Sequence, residues 1–324
     1  MSLNLKPLFP ERPGIIFMGT PYFAASSLKG LIDEGLDVVL AVVTQPDRPK
    51  GRGRNIMPSP VKELALKHDI KVMQPEKISE PGFLEVIKKI GPDLIIVVAF
   101  GQILKKALLE IPCWGVINIH ASLLPRYRGA APIQRVIMNN ESVTGLTIMK
   151  MDEGLDTGPI LYQRSVPILR DESAGNLHDR LAGMSGGFLM EFLRHMKEGQ
   201  IREIPQDSNI ATYADKIDRE ISRIEWGREA TAISAMIRGL DPSPGAYTMI
   251  GENNLKIFSS TVLDEEFSGG VPGRVLGNSE GVLQIETGMG IVGVKELQYP
   301  GKKRLPVREF LSGFNLSKGA VLGK

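Results

Sequence analysis

The stretch LIIVVAF at residues 94–100 limits the possible folds more than any other part of the chain. Its apolar residues do not alternate with polar ones, so residues 94–99 are predicted to form a strand buried on both faces. Strands of this kind occur in parallel sheets that helices cover on both sides. The stretch is far shorter than the roughly 20 apolar residues needed to cross a bilayer, and we expect no membrane association.

The rest of the first half predicts more strands and helices of the same sheet. Strand signals alternate with helix signals, which favours a twisted, mostly parallel sheet with helices on both sides. The predicted strands are residues 15–18, 38–43, 71–74 and 116–120. The predicted helices follow Pro21 (to residue 32) and cover residues 61–68, 82–90, 133–138 and 174–197.

The second half has a different pattern. Short β-type runs are broken by Gly, Pro and Asn, which is typical of a small β-barrel or sandwich. These runs follow a helix near residues 228–238 and cover residues 246–250, 255–260, 273–276, 281–287 and 290–297. Because 324 residues are too many for one ordinary core, we predict two domains, residues 1–205 and 206–324.

Composition excludes several classes of protein. Cys113 is the single cysteine, which excludes an internal disulfide and a multi-cysteine zinc site. No HExxH, CxxC or GxxxxGK[ST] motif is present, and the first loop (GTP, residues 19–21) is not GxGxxG. The N-terminus lacks a secretory signal pattern, so we expect a cytoplasmic protein. The net charge is +2, so any attraction to nucleic acid must come from local clusters of basic residues.

Polar residues end the strand at residues 116–120. Asn118 and His120 are two positions apart, so their side chains leave the same face, roughly 7 Å apart at the backbone. In such sheets, ligands bind beyond the carboxyl ends of the strands. Asp156 lies among glycines in MDEGLDTGPI (residues 151–160), where a tight turn could bring a carboxylate to the imidazole. From these residues alone, a polar strand end and an ordinary acidic turn also remain open.

The longer motifs resemble one enzyme family. NxH followed by SLLPxxxG, and later DEGLDTGP, is similar to the pattern of the formyltransferases that use 10-formyltetrahydrofolate. IIFMGTP, TQPDRPKGRGR, MPSPVK and TGLTIMK extend the resemblance, which covers about residues 15–308, to the members that act on methionyl-tRNA. The resemblance implies a Rossmann-like formyltransferase fold followed by an OB-like β-barrel that binds tRNA.

The resemblance also implies roles for the site residues. Asn118 and protonated His120 would donate hydrogen bonds to the formyl oxygen, while Asp156 would orient His120 and favour its charged form. Which group takes the proton of the attacking amine stays open. No metal is expected, and 10-formyltetrahydrofolate would be the formyl-donor cosubstrate. Its expected contacts are Phe100, Gly101, Ile103, Ser122, Leu123, Leu124, Pro125, Gly154 and Leu155.

The expected partner is the initiator methionyl-tRNA, bound by a monomer. The segment TQPDRPKGRGRNIMPS (residues 44–59) is long for a loop in a compact domain, and its basic residues recur at every second position. Such a segment can lay cations along phosphates, or it is simply a solvated loop. The residues predicted to bind tRNA are Arg48, Lys50, Arg52, Arg54, Arg126 and Arg128. The basic run at residues 301–304 is either a further contact or a solvated turn.

Two alternatives stay open. A folate-dependent formyltransferase for another amine, such as a purine precursor or an amino sugar, would share Asn118, His120 and Asp156 but would not need the basic loop. A catalytically silent RNA-binding relative would have no use for a site that stabilises an oxyanion. Testing which amine gains a formyl group separates all three hypotheses.

Overall fold

The computed structural model describes residues 9–33, 39–50, 55–218 and 220–323. The chain divides into two compact units, and each unit collects several segments of the chain. The first contains Met1–Arg128, Gly145–Ser165 and Asp179–Tyr213, and the second contains Gly129–Thr144, Val166–His178 and Ala214–Lys324. The predicted domain limits, 1–205 and 206–324, stay a prediction. In the described part of the chain, no helix is both long enough and apolar enough to cross a membrane.

The first half forms a seven-stranded sheet and a separate hairpin. Its strands are β1 (Ile15–Gly19), β2 (Val39–Val43), β3 (Arg48–Lys50), β4 (Asn55–Met57), β5 (Val72–Met73), β6 (Leu94–Val98), β7 (Val116–His120), β8 (Val143–Lys150) and β9 (Ile160–Pro167). The strand order in the sheet is β5-β2-β1-β6-β7-β8-β9. The four pairings that join β5 to β7 are parallel, and β8 runs antiparallel to β7. The mostly parallel sheet is therefore confirmed.

The central strands of this sheet are buried as their composition predicts. Every residue of β6 is buried, and Ile95 and Ile96 are fully enclosed. Helices alternate with the strands, and local signals set their ends: Ser59 caps α2 through its hydroxyl, and Gly91 ends α3 with φ 66°. The helices are α1 (Tyr22–Asp33), α2 (Pro60–Lys67), α3 (Pro81–Ile90), α4 (Lys106–Leu109), α5 (Pro132–Met138) and α6 (Ala174–Lys197).

The second half contains a six-stranded sheet whose paired strands are antiparallel. The sheet encloses an apolar core that includes Trp226, Ile257, Val294 and Phe310. Its order is β10-β11-β14-β13-β12, with β15 on β14. The elements are α7 (Ala230–Gly239), β10 (Ala246–Ile250), β11 (Asn253–Asp264), β12 (Val275–Ser279), β13 (Val282–Glu286), β14 (Ile291–Gln298), β15 (Leu305–Pro306) and α8 (Val307–Gly313). The small β domain expected from the sequence is confirmed, and the OB-like barrel form stays a prediction.

The basic segment at residues 44–59 is not a plain loop. β3 and β4 pair in it as an antiparallel hairpin, with Arg48 opposite Met57 and Pro49 opposite Ile56. Each strand is only three residues long and one contains a proline, so neither gives the alternating apolar pattern by which strands are predicted.

Candidate active site

Asn118 and His120 lie at the carboxyl end of β7. Asn118 is opposite Val97 of β6 and Met149 of β8, and His120 is opposite Thr147 of β8. His120 is buried, whereas Asn118 is half-buried. Within the described residues, the Asn118 side chain has no hydrogen-bond partner in the protein. Its amide N–H groups are therefore available to a ligand at this edge of the sheet.

The imidazole of His120 lies between two hydrogen-bond acceptors. Its Nε2 is 2.9 Å from the carbonyl oxygen of Tyr127, and its Nδ1 is 3.6 Å from Oδ2 of Asp156. Because a carbonyl oxygen only accepts, Nε2 must carry a hydrogen in this arrangement. A second proton, on Nδ1, would face the Asp156 carboxylate at ion-pair distance. The structure thus brings together the imidazole and carboxylate that the sequence places 36 positions apart.

The loop that supplies the Tyr127 carbonyl is held by side-chain hydrogen bonds. Thr147 donates to the Ser122 carbonyl at 2.6 Å and accepts from the Leu124 amide at 3.2 Å. Gln163 donates to the Leu124 carbonyl at 2.8 Å, and Ser122 donates to the Arg126 carbonyl at 2.8 Å. The backbone of this loop, residues 121–128, is therefore fixed beside His120.

Glycines allow the turn that carries Asp156. Asp156 itself has φ 54°, in the left-handed region. Asp152 accepts hydrogen bonds from the Gly154 amide at 3.0 Å and the Thr157 hydroxyl at 2.7 Å. A Cβ at Gly154 would lie 2.0 Å from Oγ1 of Thr157, and one at Gly158 would lie 1.9 Å from the Lys150 carbonyl oxygen. The glycines in this motif are therefore required by the close approach of neighbouring atoms.

The residues predicted to contact folate differ in exposure. The side chains of Phe100, Ser122 and Leu124 are buried, so these three can offer mainly backbone groups. Leu123 and Pro125 are half-buried, and Gly101 and Gly154 are exposed. Ile103 and Leu155 expose 85% and 59% of their surface. Two exposed apolar side chains on separate loops suit a flat ligand, and the folate contacts stay a prediction.

The loops after β1, β2 and β6 are tied to one another. The Thr20 hydroxyl donates to the Phe100 carbonyl at 3.3 Å and accepts from the Gln45 amide at 3.4 Å. The Gln45 side chain donates to the same Phe100 carbonyl at 3.2 Å. These bonds hold the predicted folate loop, which follows Phe100, against the segment that leads into the β3–β4 hairpin.

The basic residues predicted to bind tRNA fall into three groups. Arg48 is exposed on β3, and Arg126 is exposed with its guanidinium 5.3 Å from the Tyr127 ring centroid. Arg52, Arg54 and the side chain of Lys50 lie outside the described residues. Arg128 requires a correction, because its side chain is only 2% exposed. Its Nε and Nη2 donate to Oε1 of Gln206 at 3.1 and 2.8 Å, so it cannot reach a phosphate from this position.

Arg304, the last residue of the basic run at 301–304, is also engaged within the protein. Its Nη1 donates to Oδ1 of Asp241 at 2.6 Å, and its Nη2 donates to Glu296 and Ser259. Lys302 and Lys303 are exposed. Of the basic residues in this run, Lys302 and Lys303 are therefore the ones available to bind nucleic acid.

Sequence reasoning missed two residues that contact the site loops. The side chain of Gln206 donates to the Asp156 carbonyl, and the hydroxyl of Thr212 accepts from the Tyr127 amide. Both lie in a polar stretch whose composition is that of a linker, so no local pattern distinguishes either residue. Among the described residues, no three His, Cys, Asp or Glu side chains are grouped as a metal site requires.

Both halves of the chain match models of one enzyme family. Residues 14–193 match the model described as formyl transferase, and residues 216–315 match the formyl transferase C-terminal domain. The chain is 50% identical over 309 residues to the methionyl-tRNA formyltransferase of Pelobacter propionicus, covering 95% of this chain and 96% of that protein. It is 48% identical over 311 residues to the methionyl-tRNA formyltransferase of Geobacter sulfurreducens, covering 96% of each.

A solved structure supports the fold independently. The chain is similar to WlaRD, a sugar 3N-formyl transferase crystallised in the presence of dTDP and 5-N-formyl-THF. The TM-score is 0.65 at 20% identity, and the match covers 91% of this chain and 100% of that one. At this identity, the likeness concerns the fold alone.

Proposed function

The chain belongs to the formyl transferase family, and from this premise we propose that it formylates methionyl-tRNA. The donor is 10-formyltetrahydrofolate, and the product is N-formylmethionyl-tRNA for translation initiation. The observation that carries the proposal is the approach of His120 Nδ1 to Asp156 at 3.6 Å, at the strand end that also holds the Asn118 amide. Near full-length identity of about one half to methionyl-tRNA formyltransferases supports the choice of amine.

In the proposed mechanism, Asn118 and His120 stabilise the charge that develops on the formyl oxygen. The amine nitrogen of the methionyl ester attacks the formyl carbon, and a tetrahedral intermediate forms. Asn118 donates a side-chain N–H to the oxyanion. Because Nε2 of His120 already bonds to the Tyr127 carbonyl, the remaining ring donor is a proton on Nδ1, which the oxyanion would share with the Asp156 carboxylate 3.6 Å from that nitrogen. The orientation of the ring then comes from Tyr127 as well as from Asp156.

Asp156 is the proposed acceptor of the proton that the amine loses. Its side chain is 13% exposed and lies beside the imidazole, so it would take the proton directly or through one water. When the intermediate breaks down, the bond between the formyl carbon and N10 of the folate is broken, and the proton ends on N10. Ile103 and Leu155 would cover the faces of the folate, and backbone groups of residues 122–125 and 154–155 would contact its edge.

The basic residues of the hairpin segment are the proposed contact to the tRNA acceptor end. Arg48 is exposed there, and Lys50, Arg52 and Arg54 follow at alternate positions. Arg126 is proposed to extend this surface, and Arg128 is not included. We further propose that the second unit binds tRNA, and that the enzyme works as a cytoplasmic monomer without a metal.

One assay tests the proposed function against its rivals. The protein is supplied with 10-formyltetrahydrofolate and, in separate reactions, with methionyl-tRNA, free methionine, glycinamide ribonucleotide or a dTDP-amino sugar. We expect the formyl group on methionyl-tRNA alone. Formylation of another amine would favour the second candidate, and no formylation of any amine would favour a silent RNA-binding protein.

Three substitutions test the site itself. Asn118→Ala, His120→Ala and Asp156→Asn are each expected to lower kcat by about 100- to 1,000-fold, because each removes a group that acts in the transition state. His68→Ala is the matched control, since that histidine is exposed on a helix end and should leave kcat unchanged. A wild-type kcat in the His120 or Asp156 variant would contradict the proposed mechanism.

A further inference from the structure

A short segment after α6 contacts both loops of the candidate site. Ile204 and Ile160 exchange backbone hydrogen bonds of 2.8 and 2.9 Å, which joins the segment to the start of β9. Further along, the Thr212 hydroxyl accepts from the Tyr127 amide at 2.9 Å, and the Thr212 carbonyl accepts from the Arg128 amide at 2.8 Å. Residues 204–212, here called the strap, thus touch the loop beside His120 and the strand that follows Asp156.

Gln206 lies in the strap and uses its whole side-chain amide. Its Nε2 donates to the Asp156 carbonyl at 2.9 Å and to the Gly158 carbonyl at 2.7 Å. Its Oε1 accepts from Nε and Nη2 of Arg128 at 3.1 and 2.8 Å. A primary amide has two N–H donors and two lone pairs on its oxygen, so every hydrogen-bonding position is filled. A carboxylate could not donate to the two carbonyls, and an amine could not accept from the guanidinium.

Arg128 determines which way the amide faces. A guanidinium has donors and no acceptor, so the Gln206 oxygen must face it and the nitrogen must face the two carbonyls. Arg128 is buried, so its guanidinium is held by neighbouring protein atoms and does not move freely in solvent. The amide orientation therefore follows from the chemistry of its neighbours.

The two carbonyls that Gln206 binds belong to Asp156 and Gly158, the residues on either side of Thr157. Asp156 has the left-handed φ of 54°, which a non-glycine residue adopts only when surrounding contacts support it. Holding the carbonyls on both sides of Thr157 fixes the direction in which the Asp156 side chain leaves the turn. We propose that Gln206 is a positioning residue, which acts through Asp156 to keep its carboxylate beside Nδ1 of His120. The inference rests on the proposed function.

Two substitutions of Gln206 test this role. Gln206→Met keeps the length of the side chain but removes all four hydrogen bonds, and Gln206→Glu keeps the acceptor for Arg128 but removes the donors. Both are expected to lower kcat by about 10- to 100-fold, as small displacements of reacting groups do. The KM values for tRNA and folate are expected to stay within about twofold, because the side-chain amide of Gln206 makes its four hydrogen bonds within the protein.

Gln200→Met is the matched control. Gln200 is exposed in the same linker, and its Oε1 accepts from Nδ1 of His195, away from the site loops. We expect wild-type kcat for this variant. If Gln206→Met is unfolded at the assay temperature, the test of the proposal rests on Gln206→Glu, because in that variant Arg128 keeps an acceptor for its hydrogen bonds. A folded Gln206→Glu with wild-type kcat would overturn the proposal.

A double-substitution cycle separates positioning from general stability. If Gln206 acts through the Asp156 carboxylate, then adding Gln206→Met to Asp156→Asn should lower kcat by less than about twofold further. A full second decrease in the double variant would mean that Gln206 acts by another route, and would overturn the inference. A wild-type protein that fails to formylate methionyl-tRNA would instead refute the proposed function, so the two failures are distinguishable.

Discussion

At Gly158, the turn that carries Asp156 passes close to the end of β8. A Cβ there would lie 1.9 Å from the carbonyl oxygen of Lys150 and 3.0 Å from its carbonyl carbon. Both are backbone atoms of a sheet, so they cannot move aside as the end of a flexible side chain could. A side chain at Gly158 would therefore push the turn outwards and carry Asp156 away from His120.

We predict that Gly158→Ala lowers both stability and activity. Overpacking of this kind costs about 1–3 kcal/mol of unfolding free energy, and kcat should fall with it because Asp156 is displaced. The control is Gly187→Ala in α6, where a Cβ meets no atom within 4 Å. Alanine is the better helix former, so this variant should gain about 0.5–1 kcal/mol and keep its kcat. Denaturant unfolding measures the stability of each variant, and initial rates measure its kcat. If the two variants had the same stability and the same kcat, the prediction would be contradicted.

Single residues also show what a sequence can and cannot reveal about a site. The strand spacing of Asn118 and His120, and the glycines around Asp156, carry information about direction and turn, and the structure brings His120 and Asp156 together. The prediction for Arg128 is wrong because a basic residue in a loop gives no sign of its partner. Gln206, which binds it, lies 78 positions further along the chain.

At the scale of elements, the base of the β3–β4 hairpin is tied to α2 and β5. The Gln74 side chain donates to the Gln45 carbonyl at 2.9 Å and to Asp47 at 2.8 Å. Lys62 donates to Gln74 at 2.7 Å and pairs with Asp47. The hydrogen bond from Lys62, followed by that from Gln74, holds the pKa of Asp47 below its ordinary value. The contacts among Asp47, Lys62 and Gln74, here called the anchor, are therefore intact above the ordinary pKa of Asp47. They are lost as the pH falls through the lowered pKa and the carboxylate is protonated.

We predict that Lys62→Met loosens the hairpin and weakens tRNA binding. The KM for methionyl-tRNA should rise severalfold while the KM for folate is unchanged. The magnitude of the slope of log K against log salt should fall by about 0.7 to 0.9 for each phosphate that the protein no longer neutralises. Lys67→Met removes an equal charge from an exposed position on the same helix and should leave the salt slope unchanged. The same slope in the Lys62 variant as in the wild type would show that the anchor does not serve tRNA binding.

The predicted elements differ in how well their patterns identify them. β6 is predictable because its apolar run is continuous and is bounded by turn residues. β7 (VINIH) contains Asn118 and His120, and its three apolar residues still indicate a strand. β9 (ILYQRSVP) is not predicted, since exposed, half-buried and buried positions follow one another without a regular period. α6 is predicted at residues 174–197, where its length and periodic apolar face outweigh its internal glycines.

At the scale of the whole molecule, the chain order of elements does not give the division into compact units. Residues 129–144 and 166–178 belong to the same unit as the last third of the chain. Local patterns predict strands and helices, whereas the assignment of a segment to a unit depends on contacts that are remote in sequence. The net charge of +2 has a similar limit, because it sums over basic residues as different as exposed Arg48 and buried Arg128.

Stability in acid depends on a charged cluster in the second unit. Arg304 bonds to Asp241, which is 6% exposed, and to Glu296 on β14, with its guanidinium 4.2 Å from the Phe258 ring centroid. Burial on its own would raise the pKa of Glu296, but hydrogen bonds from Arg304 and Ser259 outweigh it and lower that pKa. Burial would likewise lower the pKa of Arg304, and its bonds to Asp241 and Glu296 raise it instead. Glu296 thus stabilises the fold above its ordinary pKa, and this contribution disappears as the pH falls through the lowered value.

We therefore predict that Arg304→Met lowers the free energy of unfolding near neutral pH by about 3 kcal/mol, because Asp241 is left buried without its cation. Without Arg304, burial is no longer outweighed at Glu296 and raises its pKa, so the folded variant takes up this proton more readily than the unfolded chain does. The difference in stability between the wild type and the variant should therefore shrink as the pH falls. Lys303→Met, at an exposed neighbouring position, removes the same charge and should follow the wild-type curve. Denaturant unfolding of all three proteins from about pH 7 to about pH 2 measures both effects. If the curves of the two variants coincide, the cluster contributes only net charge, and Arg304 would have to be returned to the set of cations available to tRNA.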